Sequence, residues 1–224
     1  MNTLSTTKSS AYNKTRYNLL HYNFEGGTAT DLYNKYDGVV LGGCVVSTLS
    51  KFGSYSSFSD GQALGSKYIV IPSITFVNAN GLSISLFVYT VAQPVGGDCK
   101  VFELTKEKLM IWGRAASNSF NFGNGTEFLM PLATWNHLVI TINPSSGINV
   151  YVNNVLTVTE TIASLYPTGT LINPGTIPQD KGKLNKSISS LHRSHNGYID
   201  DFKIYNRVLS ATDVDALFSN SYFP

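Results

Sequence analysis

The feature that most constrains this chain is a train of short segments dense in β-formers, separated by turn chemistry along most of its length. Tyr17 to Phe24 reads YNLLHYNF and is closed by Glu25-Gly26-Gly27. YIVIP (68–72), LSISLFVY (82–89), KVFEL (100–104), KLMIW (108–112) and SFNFG (119–123) follow. NHLVITIN (136–143), INVYVN (148–153), VLTVTET (155–161) and GYIDDFKIY (197–205) complete the train. The separators are Asn80-Gly81, Pro94 to Asp98, Pro144 to Gly147 and Asn153-Asn154, residue types that favour tight turns. Roughly ten to fourteen strands at such spacing, with almost no helical periodicity, imply a closed or two-sheet β architecture. The stretch from Tyr166 to Arg193 holds three prolines and reads as a long surface excursion. One helix is expected at SATDVDALF, with Ser210 as N-cap and Asp213 three residues on completing a capping box. Asp213 and Asp215 also suit the positive end of the helix dipole, so both acids read as structural.

With 224 residues the chain suits one large β domain or two small ones, and the lack of an internal repeat or interior linker favours one. Residues 1–16 are polar and read as a flexible N-terminal arm, leaving 17–224 as the domain. That opening stretch has no apolar run, so it is neither a cleavable signal nor an anchor, and cytosolic synthesis with a cytoplasmic or virion location is expected. Charged residues make up only 13% of the chain, with a net charge of +2, so the surface must be built mostly from neutral hydrogen-bonding groups. No basic stripe or long apolar span is present, which argues against nucleic-acid partners and membrane insertion. Two cysteines, Cys44 and Cys99, do not make a disulfide scaffold and are expected as reduced, buried thiols.

The order of segments resembles that of the laminin-G-like, concanavalin-A-like jelly-roll superfamily, in its short LamG-like branch. LHYNFEGG with Asp31 and Asp37-Gly38 is similar to the family's opening strand and turn. LSISLFVY resembles its "S-x-W-V" strand, with Phe87 where a Trp is common. WNHLVITIN and INVYVNNVL resemble its Trp-His strand and strand-turn, with Asn154 replacing a Gly. GYIDDFKIYNRVLSATDVDALF is the most specific likeness, to the ending "G-x-I-D-x-x-x-I-Y-N-R-x-L-S". The resemblance covers residues 18–218 and implies an all-β sandwich of two curved antiparallel sheets, a jelly roll with one short C-terminal helix. It also implies that Trp135 is a core residue. It does not imply an activity, because such a fold hosts lectins, adhesion modules, hydrolases and particle components.

Asp200 and Asp201 are the acids that could make this chain an enzyme. On an ideal strand they point to opposite faces, Asp200 with Tyr198, Phe202 and Ile204, and Asp201 with Ile199, Lys203 and Tyr205. They cannot then act together. Asp200 is expected to be a structural carboxylate, paired with Arg207 or with backbone amides of the first strand. A structural Ca²⁺ is the alternative, drawing on Glu25, Asp31 and Asp37, although these form no recognisable calcium loop. Glycoside hydrolysis needs two carboxylates facing one bond, and the resemblance implies a one-strand pattern E-x-D-x-x-E or E-x-D-x-E that the chain lacks. Glu103 and Glu107 read instead as a solvated turn. His21 and His137 read as strand histidines, and His192 and His195 as a polar loop. No metal spacing, nucleophile elbow or phosphate loop is present, so neither a cofactor nor a metal is expected.

Binding is what remains. Sugar recognition needs aromatic rings against the apolar faces of the sugar and polar groups for its hydroxyls. Trp112, Arg114, Asn118, Phe120 and Phe122 are candidates that could share a sheet face. Tyr55, Tyr166, His192 and Asn196 are loop candidates, while Asp200, Arg207 and Trp135 are assigned to structure. The expected function is a non-catalytic module recognising a glycan or protein surface. The alternative is a structural component of a larger assembly such as a capsid, its N-terminal arm contacting neighbouring subunits.

Overall fold

The computed structural model describes residues 18–61, 66–93, 97–104, 109–114, 118–123, 126–161, 176–177, 182–184 and 193–219. Two sheets face one another. The first has the order β14 (Val155–Glu160), β13 (Gly147–Val152), β12 (Trp135–Asn143), β7 (Leu82–Thr90), β18 (Asn196–Tyr205), β4 (Ser56–Asp60), β3 (Val45–Val46), and β1 (Asn18–Tyr22) also pairs with β18. The second has the order β11 (Glu127–Leu129), β10 (Ser119–Phe122), β9 (Met110–Gly113), β8 (Cys99–Glu103), β16 (Gly182–Leu184), β5 (Tyr68–Ile71), β2 (Val39–Leu41). β17 (Arg193–Ser194) adds to β8 in parallel, and every other pairing is antiparallel. β6 (Ile74–Thr75) and β15 (Thr176–Ile177) form a small separate pair.

Strand alternation builds the core. Along β7, Leu82, Ile84, Leu86 and Val88 enter the space between the sheets, as do Leu138, Ile140 and Ile142 of β12. Phe102, Ile111, Phe120 and Phe122 meet them from the second sheet. The alternate residues Ser83, Ser85, Phe87 and Tyr89 point to the outer face of the first sheet. Between β13 and β14 the chain turns through Asn153 and Asn154, at φ 50° and 66°, so asparagine serves at a left-handed turn position where the family resemblance has glycine.

The excursion expected from Tyr166 to Arg193 contributes to the sandwich. Within it, Gly182–Leu184 joins the second sheet between β8 and β5, and Leu184 is completely buried. Three residues with one inward side chain carry no readable periodicity, which is why this strand escapes sequence reasoning. The expected helix is present as α1 (Ala211–Phe218), with both capping-box hydrogen bonds between Ser210 and Asp213. It packs on the outer face of the first sheet, where Val214 and Leu217 join Val139, Tyr205 and Leu209 in a second apolar cluster bordered by Tyr151. Cys44 and Cys99 are both free and buried, and burial pushes the Cys99 thiol up to about 12. No helix among the described residues is long and apolar enough to cross a membrane. The N-terminal arm lies outside the described residues.

Candidate functional site

Four strands of the first sheet each place one aromatic residue on the same outer-face level. Trp135 of β12 is directly opposite Tyr89 of β7, Tyr89 is opposite Tyr198 of β18, and Tyr198 is opposite Phe58 of β4. The ring centroids follow at 5.7, 6.0 and 4.9 Å, with interplanar angles of 64°, 79° and 37°. All four residues are half-buried, and each ring is absent from the interior cluster. Cross-strand aromatic pairs stabilise a sheet by a few tenths to about 1 kcal/mol each, so the row has a structural value of its own. Each ring nevertheless stays partly exposed.

Polar groups border the row. Asn196, two residues before Tyr198, shares its face and is opposite Asp60. Lys67 brings its ammonium to 4.9 Å from the Phe58 ring centroid and 3.7 Å from the Asp60 carboxylate. On the other side, the next level of the sheet (His137, Phe87, Asp200) is occupied. Phe52, from the segment between β3 and β4, stands edge-on over Phe87 at 4.9 Å, and Lys51 places its ammonium 5.4 Å from the same ring. Residues 50–55 therefore act as a strap that walls one side of the row.

Asp200 fastens that strap. One of its oxygens accepts the amides of Lys51 and Phe52 at 2.8 and 2.9 Å, and the other accepts the Asp201 amide at 2.7 Å. The expected partners, Arg207 and the amides of the first strand, are not the ones it uses. Arg207 instead forms a two-pronged pair with Asp213, at 2.7 and 3.0 Å, tying β18 to the start of α1. That pairing outweighs the partial burial of Asp213 and holds its carboxyl well below the usual range. Burial pushes the Asp200 carboxyl up to about 7, against the lowering effect of its three amide donors.

Asp201 corrects the ideal-strand argument. Its φ of 51° and the register shift between Asp200 and Lys203 mark a bulge, so the core-facing series passes from Ile199 to Phe202 rather than to Asp201. At this point the edge of β18 passes from pairing with β4 to pairing with β1. Burial of Asp201 is outweighed by His21 Nε2 at 2.6 Å and Lys203 Nζ at 2.8 Å, which hold its carboxyl below the ordinary value. Both acids serve the join.

The sequence-derived binding candidates do not converge. Phe120 and Phe122 lie in the core, Phe120 stacked on Phe128 at 6.2 Å, because they alternate against Asn121, the partner of Trp112. The shared face expected for Trp112, Phe120 and Phe122 is therefore ruled out. The Trp112 Nε1–H donates to the Gly123 carbonyl at 2.6 Å, and Lys100 approaches its ring at 5.5 Å. Arg114 is exposed and pairs with Glu127, and Asn118 is exposed. Tyr55 is half-buried against the core. Tyr166 and His192 lie outside the described residues. Among the described candidates, Asn196 alone falls at the aromatic row. Trp135 leaves the core position the resemblance implies and heads the row. Tyr89, Tyr198 and Phe58 were missed, although the outward positions of β7 and β18 carried the signal.

The remaining chemistry-bearing residues are also placed. Glu103 is fully buried in β8 rather than in a solvated turn, and Glu107 lies outside the described residues. His195 is buried rather than in a polar loop, 3.0 Å from the Thr90 hydroxyl, and burial pushes it down to about 3. His137 is 3.0 Å from the Ser85 hydroxyl and stacked on Phe87, and burial pushes it down to about 4. Among the described residues no group of three His, Cys, Asp or Glu side chains could hold a metal ion. Asp31, named above for calcium, spends both oxygens on the amides of His21, Tyr33, Lys35 and Tyr36.

A family model described as the concanavalin A-like lectin/glucanases superfamily matches residues 63–215, more than half of the chain. The chain belongs to this laminin-G-like family. No curated protein sequence matches it. Among solved structures, domain 4 of AbnA, an extracellular GH43 arabinanase from Geobacillus stearothermophilus in complex with arabinotriose, aligns with a TM-score of 0.63 at 18% identity, over 90% of this chain and 98% of that one. The binding domain of Paraclostridial Mosquitocidal Protein 1 aligns at 0.65 and 16% identity, over 92% of this chain and 52% of that one. The ligand-binding domain of botulinum neurotoxin serotype D in complex with N-acetylneuraminic acid aligns at 0.62 and 13% identity, over 91% and 50%. The chain spans about half the length of these two toxin domains. At such identities the likeness establishes the shared jelly-roll fold.

Proposed function

We propose that this protein is a non-catalytic glycan-binding module whose site is the aromatic row of Trp135, Tyr89, Tyr198 and Phe58. The single observation carrying this reading is that four adjacent strands present four aromatic rings at one level of an outer face, bordered by Asn196, Asp60 and Lys67. Rings of this kind match the apolar faces of sugars, and amide, carboxylate and ammonium groups match their hydroxyls. The bound arabinotriose of the arabinanase domain and the bound N-acetylneuraminic acid of the neurotoxin domain support a sugar as the ligand class.

The roles found for Asp200 and Asp201 favour binding without hydrolysis, since their oxygens are engaged by backbone amides, His21 and Lys203 rather than directed at the row. A glycan array probed with the purified protein, with Trp135→Ala and Tyr198→Ala as paired controls, tests the proposal. A saturable signal weakened in both variants is expected. A signal unchanged by both would move the site elsewhere.

A second reading, assembly through the sheet edge, rests on a different observation. At the outermost strand of the first sheet Val155 is 64% and Leu156 50% exposed. An unprotected apolar edge is a surface for pairing with another chain. Light scattering separates the two readings, because edge assembly requires an oligomer that Val155→Lys dissolves.

A further inference from the structure

Resting on the glycan-binding reading, we propose that the row recognises a stretch of a soluble linear oligosaccharide, three to four residues long, laid across the strands. Three features of the row lead to this, and none of them is needed for sugar binding as such.

The first is its length. Successive ring centroids are 4.9 to 6.0 Å apart, set by one aromatic per strand, and this spacing is comparable to one sugar residue. A chain running perpendicular to the strands therefore meets a new ring at each residue.

The second is the way the row ends. Pairing of β12 with β13 begins only at Leu138↔Val152, so no strand continues the sheet beside Trp135. At the other end β3 pairs with Ser56 and Ser57, and the chain just before it continues alongside Phe58, whose amide donates to the Cys44 carbonyl at 2.6 Å. Recognition of a terminal sugar calls for a pocket that encloses the ligand. Here the strap of Lys51 and Phe52 walls one long side, and among the described residues no strand continues the sheet beside Trp135. A chain can therefore continue past Trp135, while the Cys44 backbone and Lys67 border the Phe58 end.

The third is the pitch of the rings. Interplanar angles of 64°, 79° and 37° mean that neighbouring rings are turned against one another. A floor built this way suits a chain whose residues rotate along its length. The flat face of a crystalline polysaccharide needs coplanar rings.

The decisive measurement is calorimetric titration with an oligomer ladder of one to six residues. It starts with α-1,5-linked arabino-oligosaccharides and is repeated with the ladder of whichever linear glycan the array selects. Affinity should rise at least about tenfold from the monosaccharide to the tetrasaccharide and level off beyond it, as contacts accumulate on a preorganised surface. Trp135→Ala and Phe58→Ala, at opposite ends, should each reduce the tetrasaccharide to the affinity of the trisaccharide, with melting temperatures confirming that both variants fold. A monosaccharide within about twofold of the tetrasaccharide would overturn the chain-length inference and leave the glycan-binding reading standing. Affinity still climbing at six residues, or retention on microcrystalline cellulose as strong as on soluble oligomers, would overturn it as well. An array blank for every glycan would remove the underlying reading itself.

Discussion

The outer face of the first sheet has two ends with similar chemistry and different fates. At one end Val139, Tyr151 and Tyr205 lie beneath α1 and join Leu209, Val214 and Leu217 in a closed apolar cluster. At the other end Trp135, Tyr89, Tyr198 and Phe58 form a continuous row that stays partly exposed. Between them the Lys51–Phe52 strap, fastened by Asp200, covers Phe87. The same strands supply both ends, so sheet formation does not decide which is buried. The cover does: after β18 the chain turns back through the Arg207–Asp213 pair and the Ser210 cap, and α1 shields one end only. The partly exposed end is the one assigned above to the proposed glycan.

The largest expected effect comes from acid. In the unfolded chain His137 and His195 take up protons near 6.5, but in the fold burial defers this to about 4 and about 3. Between those values the unfolded state binds more protons, so stability falls as pH is lowered, by on the order of 3 kcal/mol per histidine. Asp200 acts in the opposite sense. Its carboxyl keeps a proton up to about 7 that the unfolded chain releases near 4, so its contribution is lost as pH rises through that window. Denaturant unfolding from pH 4 to 7 should therefore show a rise in stability with pH that is shallower than two protons. His137→Phe, which preserves a ring against Phe87 and Phe218, should flatten that rise, and Asp200→Asn should steepen it.

Next in size is the covered end. Val139 is fully buried under α1, and Val139→Ala should cost about 2 kcal/mol, read from the unfolding midpoint. At the strap, Asp200→Ala leaves three amides without their acceptor and should cost about 1 to 3 kcal/mol. Hydrogen exchange would locate that loss: the Lys51 and Phe52 amides should lose protection while those of β12 keep theirs.

Much of this architecture is legible in the chain, for physical reasons that also mark the limits. β7 and β12 are nine residues each with strict alternation, and α1 carries a capping box, so pattern alone finds them. β3, β16 and β17 have two or three residues each and exist only because neighbouring strands pair with them. The bulge at Asp201 is invisible to a period-two argument and shifts every later side chain of β18 by one position. The aromatic row was half-legible. Alternation places Tyr89 and Tyr198 outward, but their meeting with Trp135 and Phe58 depends on the cross-strand register, which one sequence does not reveal. Alternation along β9 separates Trp112 from Ile111, but which of the two faces inward is settled only by the cross-strand register with β10, where Trp112 is opposite Asn121.

The smallest stability effect is expected at the open end, and it bears most directly on the contrast between the two ends. Trp135 is half-buried and its main ring contact is Tyr89 at 5.7 Å, so Trp135→Ala forfeits one edge-to-face pair and little core volume. The cost should be no more than about 1 kcal/mol. Val139, four residues along the same strand and on the same face, should cost about twice as much when truncated, although its side chain is far smaller. If Trp135→Ala instead destabilises more than Val139→Ala, the row is a load-carrying part of the fold and its exposure is incidental. If the smaller cost holds while glycan affinity is lost, the same strand supports stability at one end and recognition at the other, and the difference lies in what the chain laid over it.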